Sequence, residues 1–224
     1  MSDRRTVVRE FDVKAASYES NRLAPWYKGH AERILDRLAP QPGELVLDVG
    51  CGTGYLLREV VRRFPGVEGA GLDLTPAMIE QARGKAASAG LQNLRFACAD
   101  WEDAGFELSA LIGDRRPSHV VCANTLHYFA SPQAALGRMW STLLPGGRAW
   151  VMERAREGSA LTAVWGCLHR YVIRDHVRFY KTEALLEMMR EAGFERVGTD
   201  LSLKRFLWRG KIYTSVALIS GVRA

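Results

Sequence analysis

In the segment LVLDVGCGTGYL, residues 45–56, an apolar run gives way to an amphipathic one, and Asp48, Gly50, Gly52 and Gly54 alternate across the change. Glycines at this spacing let backbone N–H groups approach a ligand with no Cβ in the way, so the turn is a ligand site. The dinucleotide fingerprint G-x-G-x-x-G does not fit, because the position that needs a small residue holds Tyr55. Three more polar residues close apolar runs: Asp73 in GLDL, Asp100 in ACAD and Asn124 in CANT. In open α/β sheets the ligand crevice lies outside the carboxyl ends of the strands, so all three are expected to converge on the glycine turn.

Two histidines are candidates for proton transfer. His127 follows Asn124 just past a strand end, where an imidazole could face an acceptor near neutral pH; the alternative is a histidine that only packs or hydrogen-bonds. His176, in RDHVRFY, has a similar claim if its segment folds over the pocket, and Glu153 with Arg154 sits at the end of the fifth apolar run. Arg154, Arg156, Arg170, Arg174 and Arg178 could together receive an acidic or phosphorylated acceptor, or be solvated. Trp165, Tyr171, Phe179 and Tyr180 could line an apolar acceptor pocket, or pack their segment onto the core. The His and Cys residues lack ligand spacing, so no metal site is expected.

The elements that must hold these residues follow from periodicity. Residues 7–40 read as helical, with Ile34, Leu35 and Leu38 at helix spacing and a break from Pro40 to Gly43. Short β-rich runs then alternate with amphipathic segments: strands at 45–49, 69–74, 94–100, 119–125 and 148–154, helices near 54–64, 76–89 and 131–144. That alternation implies a parallel sheet. A helix at 182–192 ends at Gly193, and the runs FERVGTDLSL and KIYTSVALIS could pair as a hairpin at the sheet edge. With no linker or repeat, the 224 residues read as one domain: a helical leader or cap at 1–42, a core at 43–154, a lid insert at 155–181, and a last helix with hairpin at 182–224.

Composition narrows the class. No apolar stretch approaches a membrane span, and the N-terminus carries charge where a signal peptide needs an apolar region, so a cytoplasmic location is expected. Cys51, Cys98, Cys122 and Cys167 form no C-x-x-C pair and read as reduced, mostly buried thiols. The net charge of +6 permits a nucleic-acid partner but is spread without a long basic run.

The spacing D-x-G-x-G-x-G, followed by GLDLTPAMIEQAR, the CADWED turn, NTLHYF and LLPGG, resembles the class I S-adenosylmethionine-dependent methyltransferases over residues 45–154. Within that family it is similar to the small-molecule type of ubiquinone and menaquinone biosynthesis. The resemblance implies a Rossmann-like α/β fold: a doubly wound, mostly parallel seven-stranded sheet with an antiparallel C-terminal hairpin, an N-terminal helical cap and a helical lid. It also implies S-adenosylmethionine as cofactor and S-adenosylhomocysteine as product. By the same resemblance the Gly50–Gly54 turn, with Asp48 and Cys51, would hold the methionine part, and Asp73 the ribose hydroxyls. Leu74 and Met78 would flank the adenine, while Asp100 with Trp101 would meet its amino group and ring edge. Asn124 would lie beside the reactive methionine moiety, and Tyr18 would close over the donor. NTLHYF has neither proline of the Asn/Asp-Pro-Pro-aromatic motif common in exocyclic base-amine methyltransferases. A Phe-Asp pair frequent at the fourth strand's entry is replaced by Ser118 and His119. The expected activity is methyl transfer to an oxygen or nitrogen of a small-molecule acceptor, acidic or aromatic. The alternatives are an RNA or protein methyltransferase and a non-catalytic binder of the cofactor.

Overall fold

A computed structural model of the chain describes residues 4–22, 24–155, 180–203, 206–208, 211–213 and 216–224. The expected lid insert is described only at Ala155, Tyr180 and Lys181, so His176, Cys167, Trp165, Tyr171, Phe179 and the arginines Arg156, Arg170, Arg174 and Arg178 lie outside the described residues.

Strand residues buried on both faces set the architecture. In β1 (Leu45–Val49) every side chain is buried, with Leu45, Leu47 and Val49 joining one apolar cluster and Val46 the other. The same alternation divides Val120 and Cys122 from Val121 in β4 (His119–Ala123), and Ala149 and Val151 from Trp150 and Met152 in β5 (Arg148–Arg154). Strands with two apolar faces need helices on both sides, and crossover helices join parallel neighbours. With β2 (Glu68–Asp73) and β3 (Leu94–Cys98), these strands form the parallel part of a seven-stranded sheet ordered β3-β2-β1-β4-β5-β9-β6. β9 (Val216–Val222) runs antiparallel to both β5 and β6 (Glu195–Leu203).

One face is covered by α2 (Ala24–Leu35), α3 (Tyr55–Arg63) and α4 (Pro76–Ser88), through Ile34, Leu35, Leu57, Val60, Ile79 and Ala82. The other is covered by a short α5 (Ser109–Ile112), α6 (Pro132–Thr142) and α7 (Thr182–Glu191), through Leu111, Leu136, Met139, Leu185 and Met189. Each such side chain contributes roughly 1.5–3 kcal/mol by leaving water. Local signals start two of these helices: Pro76 leads α4, and at α6 the Ser131 hydroxyl accepts from the Ala134 N–H at 3.3 Å before Pro132. α1 (Arg4–Lys14) precedes α2 and packs on α4.

Four details differ from the periodicity reading. The leader is broken by a 3-10 turn at Ala15–Ser17 and its helix ends at Leu35, and the stretch between β3 and β4, with no helix expected in it, contains α5. KIYTSVALIS is not one strand: Lys211–Tyr213 (β8) pairs with Phe206–Trp208 (β7) in a separate ribbon, and only the later part is β9. β9 sits inside the sheet and β6 takes the edge, so the pairing expected at the edge is there with an extra ribbon between its arms. Of the described cysteines Cys51 and Cys122 are buried, whereas Cys98 is exposed because it ends the outermost parallel strand. Among the described residues no helix is long and apolar enough to cross a membrane.

Candidate functional site

The glycine turn is built from positive φ angles. Gly50, Gly52 and Gly54 have φ of 78°, 52° and 72°, in the left-handed region that costs other residues most. At Gly50 a Cβ would meet the Thr125 side chain at 2.3 Å, so the turn packs against the loop after β4. In front of Gly52, by contrast, a Cβ would meet nothing within 4 Å. Its N–H donates to Oδ2 of Asp73 at 2.9 Å, and the Thr75 N–H donates to Oδ1 of the same carboxylate at 2.9 Å. Burial pushes the Asp73 carboxyl above its ordinary range, and these two N–H donors oppose the shift.

A cavity opens at the carboxyl ends of the parallel strands, and Gly50, Gly52, Asp73, Leu74, Met78, Asp100, Trp101, Asn124 and Tyr18 all line it. The strand ends thus converge as the topology requires. Asp100 accepts from the Glu102 N–H through Oδ1 at 2.9 Å, while its Oδ2 meets Nε of Arg4 at 2.9 Å. Trp101 is 2% exposed, donates its indole N–H to the Ala135 carbonyl at 3.1 Å and carries the Arg138 guanidinium 4.8 Å over its ring.

The leader supplies the opposite wall. Arg4, Val7 and Phe11 of α1 line the cavity, and Phe11 meets Tyr18 and Tyr128 edge-on at ring-centroid distances of 6.3 and 5.6 Å. Tyr18 stacks on Tyr27 at 4.6 Å, and burial pushes its hydroxyl well above the usual tyrosine range. Next to it, Glu19 takes the Thr53 hydroxyl at 2.6 Å and the Arg58 guanidinium at 2.8 Å on each oxygen. Arg58 also donates to the Thr53 carbonyl at 2.6 Å, so the leader and the glycine turn are joined by a largely buried ion pair. Sequence reasoning did not find Arg4, Phe11 or Tyr128. The i, i+3, i+7 spacing of Arg4, Val7 and Phe11 on one helix face was the signal available.

Three residues expected at the cofactor do not line the cavity. Asp48 is buried behind the turn, where burial and then the Asp73 charge push its carboxyl up to about 7. Cys51 turns its sulfur the other way, to where a Cβ on Gly71 would lie 2.8 Å from it, and Gly54 caps α3 against Phe96. These residues shape the turn.

His127 takes the second of its two expected parts, a histidine that packs and hydrogen-bonds. It lies in a 3-10 turn (Leu126–Tyr128), is 3% exposed, and holds Nδ1 2.8 Å from Oε2 of Glu153, itself fully buried. It is not on the cavity wall: the turn rotates its ring inward onto a buried carboxylate whose other partners are backbone N–H groups. A different histidine, missed in the sequence, approaches the wall. Nδ1 of His30 lies 3.2 Å from Oδ1 and 3.1 Å from Nδ2 of Asn124, which adopts φ 56° at the end of β4. Burial first, with Arg154 and Arg33 adding to it against the Asn124 hydrogen bond, pushes His30 down to about 4. Among the described residues no group of three or more His, Cys, Asp and Glu is placed to hold a metal ion.

Residues 22–198 match the family model described as a methyltransferase domain. A malonyl-[acyl-carrier protein] O-methyltransferase of Halorhodospira halophila is 40% identical over 114 residues, a match spanning 47% of this chain and 37% of that protein. A demethylmenaquinone methyltransferase of Thermus thermophilus is 31% identical over 181 residues, spanning 72% of this chain and 79% of the relative. In fold, the chain is similar to Haemonchus contortus phospholethanolamine N-methyltransferase 2, solved with phosphomonomethylethanolamine and S-adenosylhomocysteine. That likeness has a TM-score of 0.77 at 15% identity and covers 100% of this chain and 60% of the other. With the family model spanning residues 22–198, most of the chain, the chain belongs to the methyltransferase domain family.

Proposed function

We propose that the chain transfers a methyl group from S-adenosylmethionine to an oxygen or nitrogen of a small-molecule metabolite. The observation that carries this reading is the single cavity shared by Gly52, Asp73, Asp100 and Asn124, each from a different strand end. The residues suit the cofactor. The open space before Gly52 admits a chain of atoms close to the backbone, and Asp73, although it already accepts two N–H groups, keeps lone pairs for ribose hydroxyls. Asp100 would meet the adenine amino group, flanked by Leu74, Met78 and Trp101. When bound, S-adenosylmethionine supplies a methyl group on positively charged sulfur, already activated for displacement.

The protein's share of the work is alignment and exclusion of water, worth about 7–11 kcal/mol where reactants are held in attack geometry. Phe11, Tyr18 and Tyr128 present aromatic surface to the cavity, favourable beside a sulfonium and unfavourable to water. With His127 turned away, the histidine nearest the wall among the described residues is His30, and its role there is to hold the Asn124 amide. The names of two relatives, a malonyl-[acyl-carrier protein] O-methyltransferase and a demethylmenaquinone methyltransferase, support a metabolic acceptor.

The test is titration with S-adenosylhomocysteine by calorimetry, followed by incubation with methyl-labelled S-adenosylmethionine and a cell extract. Binding together with label in metabolites is the expected result. Label in RNA or protein would overturn the substrate class, and binding without transfer would make the protein a cofactor binder only.

A further inference from the structure

Among the described helices α1 has no buried side chain, whereas α2 to α7 each bury several. Arg4, Val7 and Phe11 nevertheless line the cavity, so α1 roofs the site without joining either apolar cluster. Its two ends are held unequally. Past its C-terminal end, the 3-10 turn with its buried Ala15 leads to Glu19, whose pair with Arg58 is sheltered on both sides. At its N-terminal end Arg4, its side chain 55% exposed, reaches Oδ2 of Asp100 through Nε at 2.9 Å and Oε2 of Glu102 through Nη2 at 3.5 Å. Between the ends, Phe11 meets Tyr18 and Tyr128 by ring edges, and the Ala77 N–H at the start of α4 donates to Oδ1 of Asp12 at 3.4 Å. The helix is a lever of 11 residues, about 16 Å long, with a firm root and a light catch. An ion pair made by an exposed arginine is weak, and salt weakens it further.

The catch falls on the carboxylate proposed for the adenine amino group. Oδ1 of Asp100 accepts the Glu102 N–H at 2.9 Å, and Oδ2 takes Arg4. Glu102 is fixed independently of the leader, because its Oε1 and Oε2 accept the N–H groups of Ser131 and Ala130 at 2.7 and 2.8 Å. Of the two groups on Asp100, therefore, the N–H belongs to a turn held in place, while the guanidinium rides on a helix that can lift without exposing core.

We propose that α1 is an autoinhibitory flap: Arg4 holds it over the adenine end of the cavity by occupying Oδ2 of Asp100, and the cofactor's amino group takes that oxygen only after Arg4 has let go. The inference rests on the placement of adenine at Asp100 in the methyl-transfer reading. Two donors then compete for one acceptor, and the observed affinity is the intrinsic one reduced by the fraction of free protein whose flap is open. A single exposed ion pair sets that fraction at about one fifth to one third.

The experiment follows S-adenosylhomocysteine binding to the full chain by stopped-flow tryptophan fluorescence, Trp101 being on the cavity wall, and by calorimetry. This ligand is a zwitterion without net charge, so long-range attraction to the acidic wall does not enter. Arg4→Gln should speed association about 3- to 5-fold, leave dissociation unchanged and tighten Kd by the same factor. A roughly tenfold rise in salt should speed association to the wild-type protein about 2- to 3-fold and leave the variant's rate unchanged. In the free protein the α1 amides should exchange hydrogen faster in Arg4→Gln, with those of β1 and β4 at the wild-type rate, which also shows the variant to be folded. Unchanged association in Arg4→Gln, or slower association in salt, would overturn the proposal. A weaker Kd in the variant would overturn it too, making Arg4 a residue that holds the cofactor. Failure of wild type and Arg4→Gln alike to bind S-adenosylhomocysteine would instead overturn the methyl-transfer reading.

Discussion

Glu19 and Arg58, 39 residues apart, join the leader to the helix that follows the glycine turn, with Arg58 Nη2 2.8 Å from both carboxylate oxygens. Glu19 adjoins Tyr18 on the cavity wall, and Arg58 caps the carbonyl of Thr53 inside the turn, so one pair ties the leader side of the cavity to the glycine-turn side. Removing one partner strands the other. Glu19→Ala should cost about 3–5 kcal/mol in chemical denaturation, while the double variant Glu19→Ala/Arg58→Met should recover part of it. Strictly additive losses would mean that the pair is not coupled.

Asp73→Ala removes the acceptor for two backbone N–H groups and for the proposed ribose hydroxyls. S-Adenosylhomocysteine affinity should fall about 10- to 100-fold by calorimetry, well beyond what the accompanying loss of stability explains. Unchanged affinity would displace the ribose from this carboxylate.

Two glycine substitutions should have opposite signs. Gly50→Ala places a Cβ at positive φ and 2.3 Å from Thr125, and should destabilise by about 1–3 kcal/mol. Gly84→Ala, within α4 and with nothing inside 4 Å of the new Cβ, should stabilise by about 0.5–1 kcal/mol. Thermal melts of the two variants check both signs at once.

The pH dependence of stability carries a signature of His30. Its pKa is lowered from 6.5 to about 4 in the folded protein, so between those values the unfolded chain binds the extra proton. Stability from this residue is therefore full above pH 6.5 and is lost as pH falls toward about 4. His30→Gln should flatten that part of the profile relative to wild type in denaturation series at fixed pH, although other groups titrate in both proteins.

Of the two readings open for His127 in the sequence, a base or a histidine that only hydrogen-bonds, the geometry favours the second. His127→Ala leaves the fully buried Glu153 without its imidazole partner and should cost about 3–5 kcal/mol in stability. Folded variant should keep its S-adenosylhomocysteine affinity. A variant as stable as wild type would show that the pair contributes nothing.

The contrast between the two histidines marks what the sequence could disclose. The glycine turn and the polar strand ends were readable because each depends on local rules: positive φ needs glycine, and a doubly wound sheet gathers its carboxyl ends. Asp73, Asp100 and Asn124 accordingly meet where the pattern placed them. Side-chain direction is another matter. His127 stands three residues after Asn124, yet a 3-10 turn sends its ring to Glu153, 26 residues on, while His30 reaches Asn124 across 94 residues. Cys51 and Asp48 sit within the right motif but on the inner side of the turn. Such contacts are decided by packing between distant segments, which no spacing within one segment encodes.

The placement of β9 between β5 and β6 separates two events during synthesis. Every described residue lining the cavity, from Arg4 to Phe129, is translated before β5, so the pieces of the cavity precede the strands that close the sheet. β6 emerges with no neighbour in this sheet until residues 216–222 follow, and must wait as an open edge. A ribosome stalled between the two strands would hold a chain with its cavity-lining residues already translated and its sheet still unclosed.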